Sequence, residues 1–236
     1  MRTFLKSLVR DHAPPGVMRG LFAVADAGRS AAGRLGLPLV STDWVGYEGL
    51  VEFITRHHIL SVPGDLLEIG AFLGGGTKKL CDLLAREQDE KTLWVVDAFD
   101  PGLDHTENRS GRTMAGLYAS ALKGFPGQTQ WEVFSRATAG CGNLRVIRGD
   151  SREVFLPPKR LCFAFLDGHH APESVARDFS LAWERLSPGG ALAVHDYGGD
   201  LPQVTATLDR LLNSQASRVK TLLWDRRRWV LYAIKS

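Results

Sequence analysis

Asp167, His169, His170, His195 and Asp196 stand in two short stretches, Leu166-Asp167-Gly168-His169-His170 and Val194-His195-Asp196-Tyr197, each directly following an apolar run. Two carboxylates and an imidazole within reach of one another suit a divalent cation. Such an ion could chelate a substrate diol and lower the pKa of its hydroxyl. One imidazole with a near-neutral pKa suits removal of a proton. A second group lies upstream, where Glu68-Ile69-Gly70-Ala71-Phe72-Leu73-Gly74-Gly75-Gly76-Thr77 is followed by Asp97. The glycines let the backbone leave a strand sharply and approach a ligand before a helix begins. A carboxylate beyond the next strand can accept hydrogen bonds from both hydroxyls of a ribose.

Three nucleotide-binding patterns compete for this turn. A dinucleotide fingerprint counted from Gly70 requires glycine where Phe72 stands, and the phenylalanine side chain blocks close approach of a pyrophosphate. A phosphate-binding loop counted from the same glycine finds Gly75 and Thr77 in place, but Gly76 where the phosphate-reading lysine belongs. The third pattern has an acid at the strand end, Gly70 two residues on and Gly74 four after that. It suits a ligand that presents an amino acid and a ribose in place of phosphates.

The elements that must position these groups follow from periodicity. Apolar runs at 66–69, 93–97, 144–147, 161–166 and 191–194 predict strands, and helical spacing predicts helices at about 43–58, 75–87 and 171–186. This alternation means a parallel sheet covered on both faces, with ligands at the carboxyl edge of its strands. Residues 98–142 form a long insertion in which 112–123 and 131–139 can be lid-like helices. The runs 219–224 and 229–234 are separated by only four residues, which forces an antiparallel pair. Residues 1–42, rich in Gly, Ala and Arg and broken by Pro14, Pro15 and Pro38, read as a helical appendage to a domain spanning 43–236.

The turn and the strand-end acids resemble the first motifs of class I S-adenosylmethionine-dependent methyltransferases. From Asp167 onward the sequence is similar to the family-24-type group and to the macrocin and mycinamicin sugar O-methyltransferases. The resemblance runs to about Ile234 and implies an α/β Rossmann-like three-layer sandwich, with a seven-stranded, mostly parallel sheet whose last strand is antiparallel. It implies that Glu68, Gly70, Gly74, Thr77, Asp97, Asp150, Ser151 and Asp167 hold S-adenosylmethionine, with Asp97 on the ribose and Asp150-Ser151 near the adenine. It also implies a divalent metal on Asp167 and Asp196, with His170, three residues past Asp167, as base. His195 occupies the place where that group has the first acid of a pair. Imidazole is a poor ligand for magnesium, so this departure either removes the ion or points toward manganese, iron or zinc.

Of the 236 residues 44% are hydrophobic, enough for a sizeable core, and the net charge of +3 is concentrated at the amino terminus. Residues 1–34 carry six Arg/Lys against two Asp, leaving the remainder slightly acidic, which argues against a nucleic-acid-coating protein. Phe4, Leu5, Leu8 and Val9 form a short amphipathic face that reads as a docking helix, with a membrane or partner surface as the alternative. Cys81, Cys141 and Cys162 are too sparse for a disulfide framework or a zinc site, which fits a reducing cytoplasm. The longest apolar run noted, Leu161–Leu166, falls far short of the roughly 18 residues of a membrane span. The expected function is S-adenosylmethionine-dependent O-methylation of a small hydroxylated metabolite, a sugar or natural product, by a monomer or homo-oligomer that takes no nucleic acid. The Asn/Asp-Pro-Pro-aromatic turn of amino-group methylation is absent. Two alternatives stand beside it: a metal-dependent, hydroxylase-like enzyme on the same scaffold, and a non-catalytic binding protein.

Overall fold

Leu66, Leu67 and Ile69 are fully or almost fully buried, as strand residues must be when helices cover both faces of a parallel sheet. In the computed structural model, which describes residues 41–236 apart from Pro158 and a few isolated positions between 24 and 34, seven strands form one sheet. They are β1 Asp65–Ile69, β2 Leu93–Asp97, β3 Leu144–Arg148, β4 Leu161–Leu166, β5 Leu186–Val194, β6 Val219–Asp225 and β7 Val230–Lys235. Their order is β3-β2-β1-β4-β5-β7-β6, with β7 antiparallel to both its neighbours and the other pairings parallel. The sheet reverses direction of growth at β1, so β1 and β4 lie side by side, and ligands in open α/β sheets bind outside such a switch point.

Among residues 41–236 as described, six α-helices accompany the sheet: α1 Glu48–Arg56, α2 Gly75–Arg86, α3 Met114–Leu122, α4 Gln130–Ala137, α5 Pro172–Arg185 and α6 Pro202–Ser214. Alternation along the strands sorts the core into two layers. Leu66, Phe163, Phe165 and Ala193 pack with α1, α2 and α4, whereas Leu67, Ile69, Leu166 and Val194 pack with α5 and α6. Lys235, itself buried, ties the end of β7 to the end of α5 by donating to the carbonyls of Trp183 (2.8 Å) and Leu186 (2.7 Å). A cation at a helix carboxyl terminus satisfies carbonyls that have no partner within the helix. No helix among the described residues is long and apolar enough to cross a membrane.

Both insertion helices, α3 and α4, fall within the expected 98–142 stretch. The first helix is shorter than its pattern suggests. Asp43 does not open it but takes the backbone N–H groups of Val45 and Gly46 on Oδ1 and that of Tyr47 on Oδ2, so the helix proper starts at Glu48. Helix α6 was not anticipated, although Val204, Thr207, Leu208 and Leu212 recur at helical spacing behind Pro202. The amphipathic segment at Phe4–Val9, and the appendage up to residue 40 apart from those isolated positions, lie outside the described residues.

Where α1 meets α2, the Tyr47 ring rests against the first turn of α2, and a Cβ added at Gly76 would lie 2.3 Å from it. The ring has little freedom, since it packs edge-on to Phe165 (5.1 Å between centroids) and its hydroxyl donates to Glu68. Gly76→Ala should therefore cost about 1–3 kcal/mol of stability through overpacking. Urea denaturation checks this, and an unchanged midpoint would show that the contact yields freely.

Candidate active site

Each of the strands β1, β2, β3, β4 and β5 ends at the same edge of the sheet, and one cavity of about 440 Å³ opens there. Gly70, Asp97, Asp150, Ser151, Asp167, His195 and Asp196 line it, which brings most of the sequence-identified residues to one place. Glu68, Gly74, Thr77 and His170 are not on its wall.

The placement of Glu68 follows from strand alternation. It shares a face with Leu66, so it points toward α2 rather than to the strand end. There it accepts from Tyr47 Oη at 2.6 Å and Thr77 Oγ1 at 2.8 Å. Complete burial outweighs these two bonds and pushes its pKa up to about 8. Glu68 and Thr77 thus brace the turn from beneath, while Gly74 packs against Phe134 of α4. Gly70 has a left-handed φ of +85°, and a Cβ there would stand 2.0 Å from the carbonyl oxygen of Asp167. The close approach it permits is therefore to the loop after β4.

Asp97 sits at the cavity edge and holds the turn in shape. Its Oδ2 accepts from the N–H groups of Ala71 (2.8 Å) and Phe72 (3.0 Å), and its Oδ1 from the N–H of Phe99 (2.6 Å) and from Gln130 Nε2 (3.3 Å). Burial raises its pKa despite these bonds. Asp150 is engaged by the guanidinium of Arg152, whereas Ser151 is buried on the cavity wall. Phe72, a non-glycine residue at φ +48°, places its ring 4.7 Å from that of Trp44 and 4.9 Å from that of Tyr118, so three aromatic side chains from three segments meet in the cavity.

The acids and histidines do converge. His170 is buried, with Nδ1 2.6 Å from Asp104 Oδ2 and Nε2 3.0 Å from Asp196 Oδ2 and 3.6 Å from Asp167 Oδ1. Although close to both acids, Nε2 makes no directed hydrogen bond. Burial alone would lower the His170 pKa, but the hydrogen bond to Asp104 and the close carboxylates of Asp167 and Asp196 raise it well above the usual value. His195 Nδ1 lies 3.1 Å from Asp167 Oδ1 and 3.3 Å from Asp196 Oδ2, and the charges of these two acids overcome burial to lift its pKa to about 10. Asp196 is correspondingly depressed, burial being outweighed by the two imidazoles. His169, beside them in sequence, turns its ring back to accept from the N–H of Ala171.

Ligand atoms of Asp167, His170 and Asp196 lie within 4.8 Å of one another, close enough to share one cation. His195 lines the main cavity, whereas His170 lies off its wall, in a smaller pocket. Sequence reasoning missed Asp104, Tyr47, Trp44 and Tyr118, none of which belongs to a recognisable motif, and met Phe72 in the glycine turn only as an obstacle to a pyrophosphate.

A family model described as a methyltransferase domain matches residues 67–197, more than half of the chain. No curated protein matches the sequence. Among solved structures, the O-methyltransferase NovP superposes with a TM-score of 0.61 at 21% identity, covering 81% of this chain and 80% of that one. CalS11, a calicheamicin methyltransferase, gives a TM-score of 0.56 at 15% identity over 78% of this chain and 77% of that one. At such identities the two share the fold with this chain. The family match, together with a cavity at the switch point of the sheet, places the chain in the methyltransferase-domain family as an S-adenosylmethionine-dependent methyltransferase.

Proposed function

We propose that the protein methylates a hydroxyl of a small metabolite, a sugar or a related natural product, with Asp167 and Asp196 at the acceptor and Asp97 at the cofactor. The observation that carries this reading is that a single cavity touches both the glycine turn with Asp97 and the cluster of Asp167, His195 and Asp196. NovP and CalS11, which share the fold, are described as an O-methyltransferase and a TDP-rhamnose 3'-O-methyltransferase.

The lining fits S-adenosylmethionine, which supplies a methyl group on a positively charged sulfonium. Asp97, Asp167 and Asp196 give the cavity a negative field, and the rings of Trp44, Phe72 and Tyr118 offer π faces to a cation. Asp97 and Gln130 stand where a ribose diol would be held, and Gly149, Asp150 and Ser151 where the adenine edge would be read.

A divalent cation also fits, because a buried imidazole nitrogen without a directed partner faces two carboxylates. Asp167, Asp196 and His170 would hold it, and the ion would acidify a hydroxyl bound to it. Manganese, iron or zinc suits this mixed oxygen and nitrogen set better than magnesium. His195 donates from Nδ1 to Asp167 and is one of the residues that line the cavity. A cation held there would offset the charge of the two acids beside His195, and His195 would be the group to take the acceptor's proton. In-line displacement needs little beyond this alignment and one proton acceptor.

Cofactor choice is tested by thermal shift: S-adenosylhomocysteine at 100 times its Kd should add about 2.7 kcal/mol of stability, and NAD and ATP should add nothing. Stabilisation by NAD alone would overturn the assignment. Asp97→Ala should weaken S-adenosylhomocysteine binding by roughly 1.5–3 kcal/mol per lost charged hydrogen bond, read by calorimetry. Unchanged affinity in a folded variant would remove Asp97 from the site. Excess chelator should abolish turnover, and Asp196→Asn should do the same in the presence of added Mn²⁺. Full activity under chelator would eliminate the ion.

A further inference from the structure

We infer that Asp104, contributed by the insertion, is a positioning residue that keeps the proton of His170 on Nδ1 and so presents Nε2 to the two acids as a cation ligand. The inference rests on the metal-assisted reading of the site and adds to it a residue outside every motif.

Asp104 is buried, and its own loop holds it. Oδ1 accepts from the N–H of Thr106 at 2.9 Å, and its carbonyl accepts from the N–H of Ala115 at the start of α3 at 2.7 Å. The other oxygen, Oδ2, accepts twice from one residue: from the backbone N–H of His170 at 3.1 Å and from its ring Nδ1 at 2.6 Å. A carboxylate can only accept, so Nδ1 must carry a hydrogen whether the ring is neutral or charged. The backbone bond adds a second constraint, fixing where the ring begins as well as which nitrogen is protonated.

Once Nδ1 is protonated, a neutral His170 has its lone pair on Nε2. That lone pair faces Asp196 Oδ2 at 3.0 Å and Asp167 Oδ1 at 3.6 Å. Three electron-rich groups facing one another repel unless a proton or a cation lies among them. Without Asp104 the ring could move its proton to Nε2 and donate to Asp196, which would relieve the repulsion from within. Asp104 closes that route. A carboxylate–histidine pair behind a ligating nitrogen also raises ligand basicity, and loss of such a partner usually costs 10- to 100-fold in metal affinity.

The test compares the wild type with Asp104→Asn, which keeps the shape of the side chain and loses its charge. Three measurements are made: the proton on His170 Nδ1 by NMR of ¹⁵N-histidine-labelled protein, Mn²⁺ affinity by the loss of free Mn²⁺ signal in electron paramagnetic resonance, and S-adenosylhomocysteine affinity by calorimetry. The wild type should show a downfield, exchange-protected proton on Nδ1. In Asp104→Asn this resonance should shift upfield or vanish and Mn²⁺ affinity should fall about 10- to 100-fold, with cofactor affinity within twofold. A wild type lacking a proton on Nδ1 would overturn the inference whether or not the variant folds. So would an Asp104→Asn protein that binds Mn²⁺ like the wild type. A wild type that shows the Nδ1 proton but binds no Mn²⁺ would overturn the ligand role given to His170, whereas failure of S-adenosylhomocysteine to bind the wild type would count against the cofactor assignment alone.

Discussion

Gly70 and the backbone of Asp167 are in contact, and the distance between the two halves of the site depends on that contact. Asp167 donates its N–H to the carbonyl of Ile69 at 2.8 Å, extending the β1–β4 ladder by one bond, and Gly70, the residue after β1, then has no room for a side chain. The turn that borders the cofactor region and the loop that carries the acids therefore leave the sheet together. An alanine at Gly70 would need both an unfavourable φ and a displaced Asp167. Close packing at this point converts a feature of the fold into a feature of the chemistry, because the methyl donor and the acceptor must meet within a few ångströms for displacement to occur.

Charge is balanced across the same contact. Asp104, Asp167 and Asp196 are gathered around two imidazoles: the acids raise the imidazoles, His170 lowers Asp104, and both imidazoles lower Asp196. Buried carboxylates at such separations are stable only if cations stand among them. Protons on the histidines supply that charge when nothing else does. A divalent ion would take over the task and release protons as it binds, since its ligands must be deprotonated. On the proposed metal-assisted reading the cluster would exchange protons for a cation, whereas Glu68, Tyr47 and Thr77 hold one another under the turn by hydrogen bonds.

The sheet was largely legible in the sequence, because continuous apolar runs such as Leu161–Leu166 have only one use in a chain of alternating strands and helices. The antiparallel ending was legible from the short Asp225–Arg228 link. Helix α6 was overlooked, though the spacing of Val204, Thr207, Leu208 and Leu212 could have revealed it. At the site, the residues that end strands were found, since topology puts strand ends on one edge whatever the loops do. Their orientations were less accessible. Period-two alternation could have placed Glu68 in the core, as it follows Leu67 and shares the face of Leu66. That His195 lines the cavity while His170 lies off its wall could not be foreseen, because it depends on how each loop turns after its strand.

Asp104 marks the limit of motif reading. It lies 63 residues before Asp167 in a stretch with no regular element, and nothing in its neighbours Leu103 and His105 distinguishes it from a solvated loop acid. Its importance comes from a long-range pairing set by α3, whose first turn fixes the Asp104 carbonyl through Ala115. The insertion thereby does more than cover the cavity. Its helix α3 supplies Tyr118 to the aromatic wall, and the loop before that helix supplies the carboxylate behind His170, so the same segment touches both the expected cofactor side and the acid cluster. If the insertion moves to admit an acceptor, the support for His170 must move with it. Occupancy of the cavity and the readiness of the cluster are then coupled through one stretch of chain, and the coupling requires no motion of the sheet.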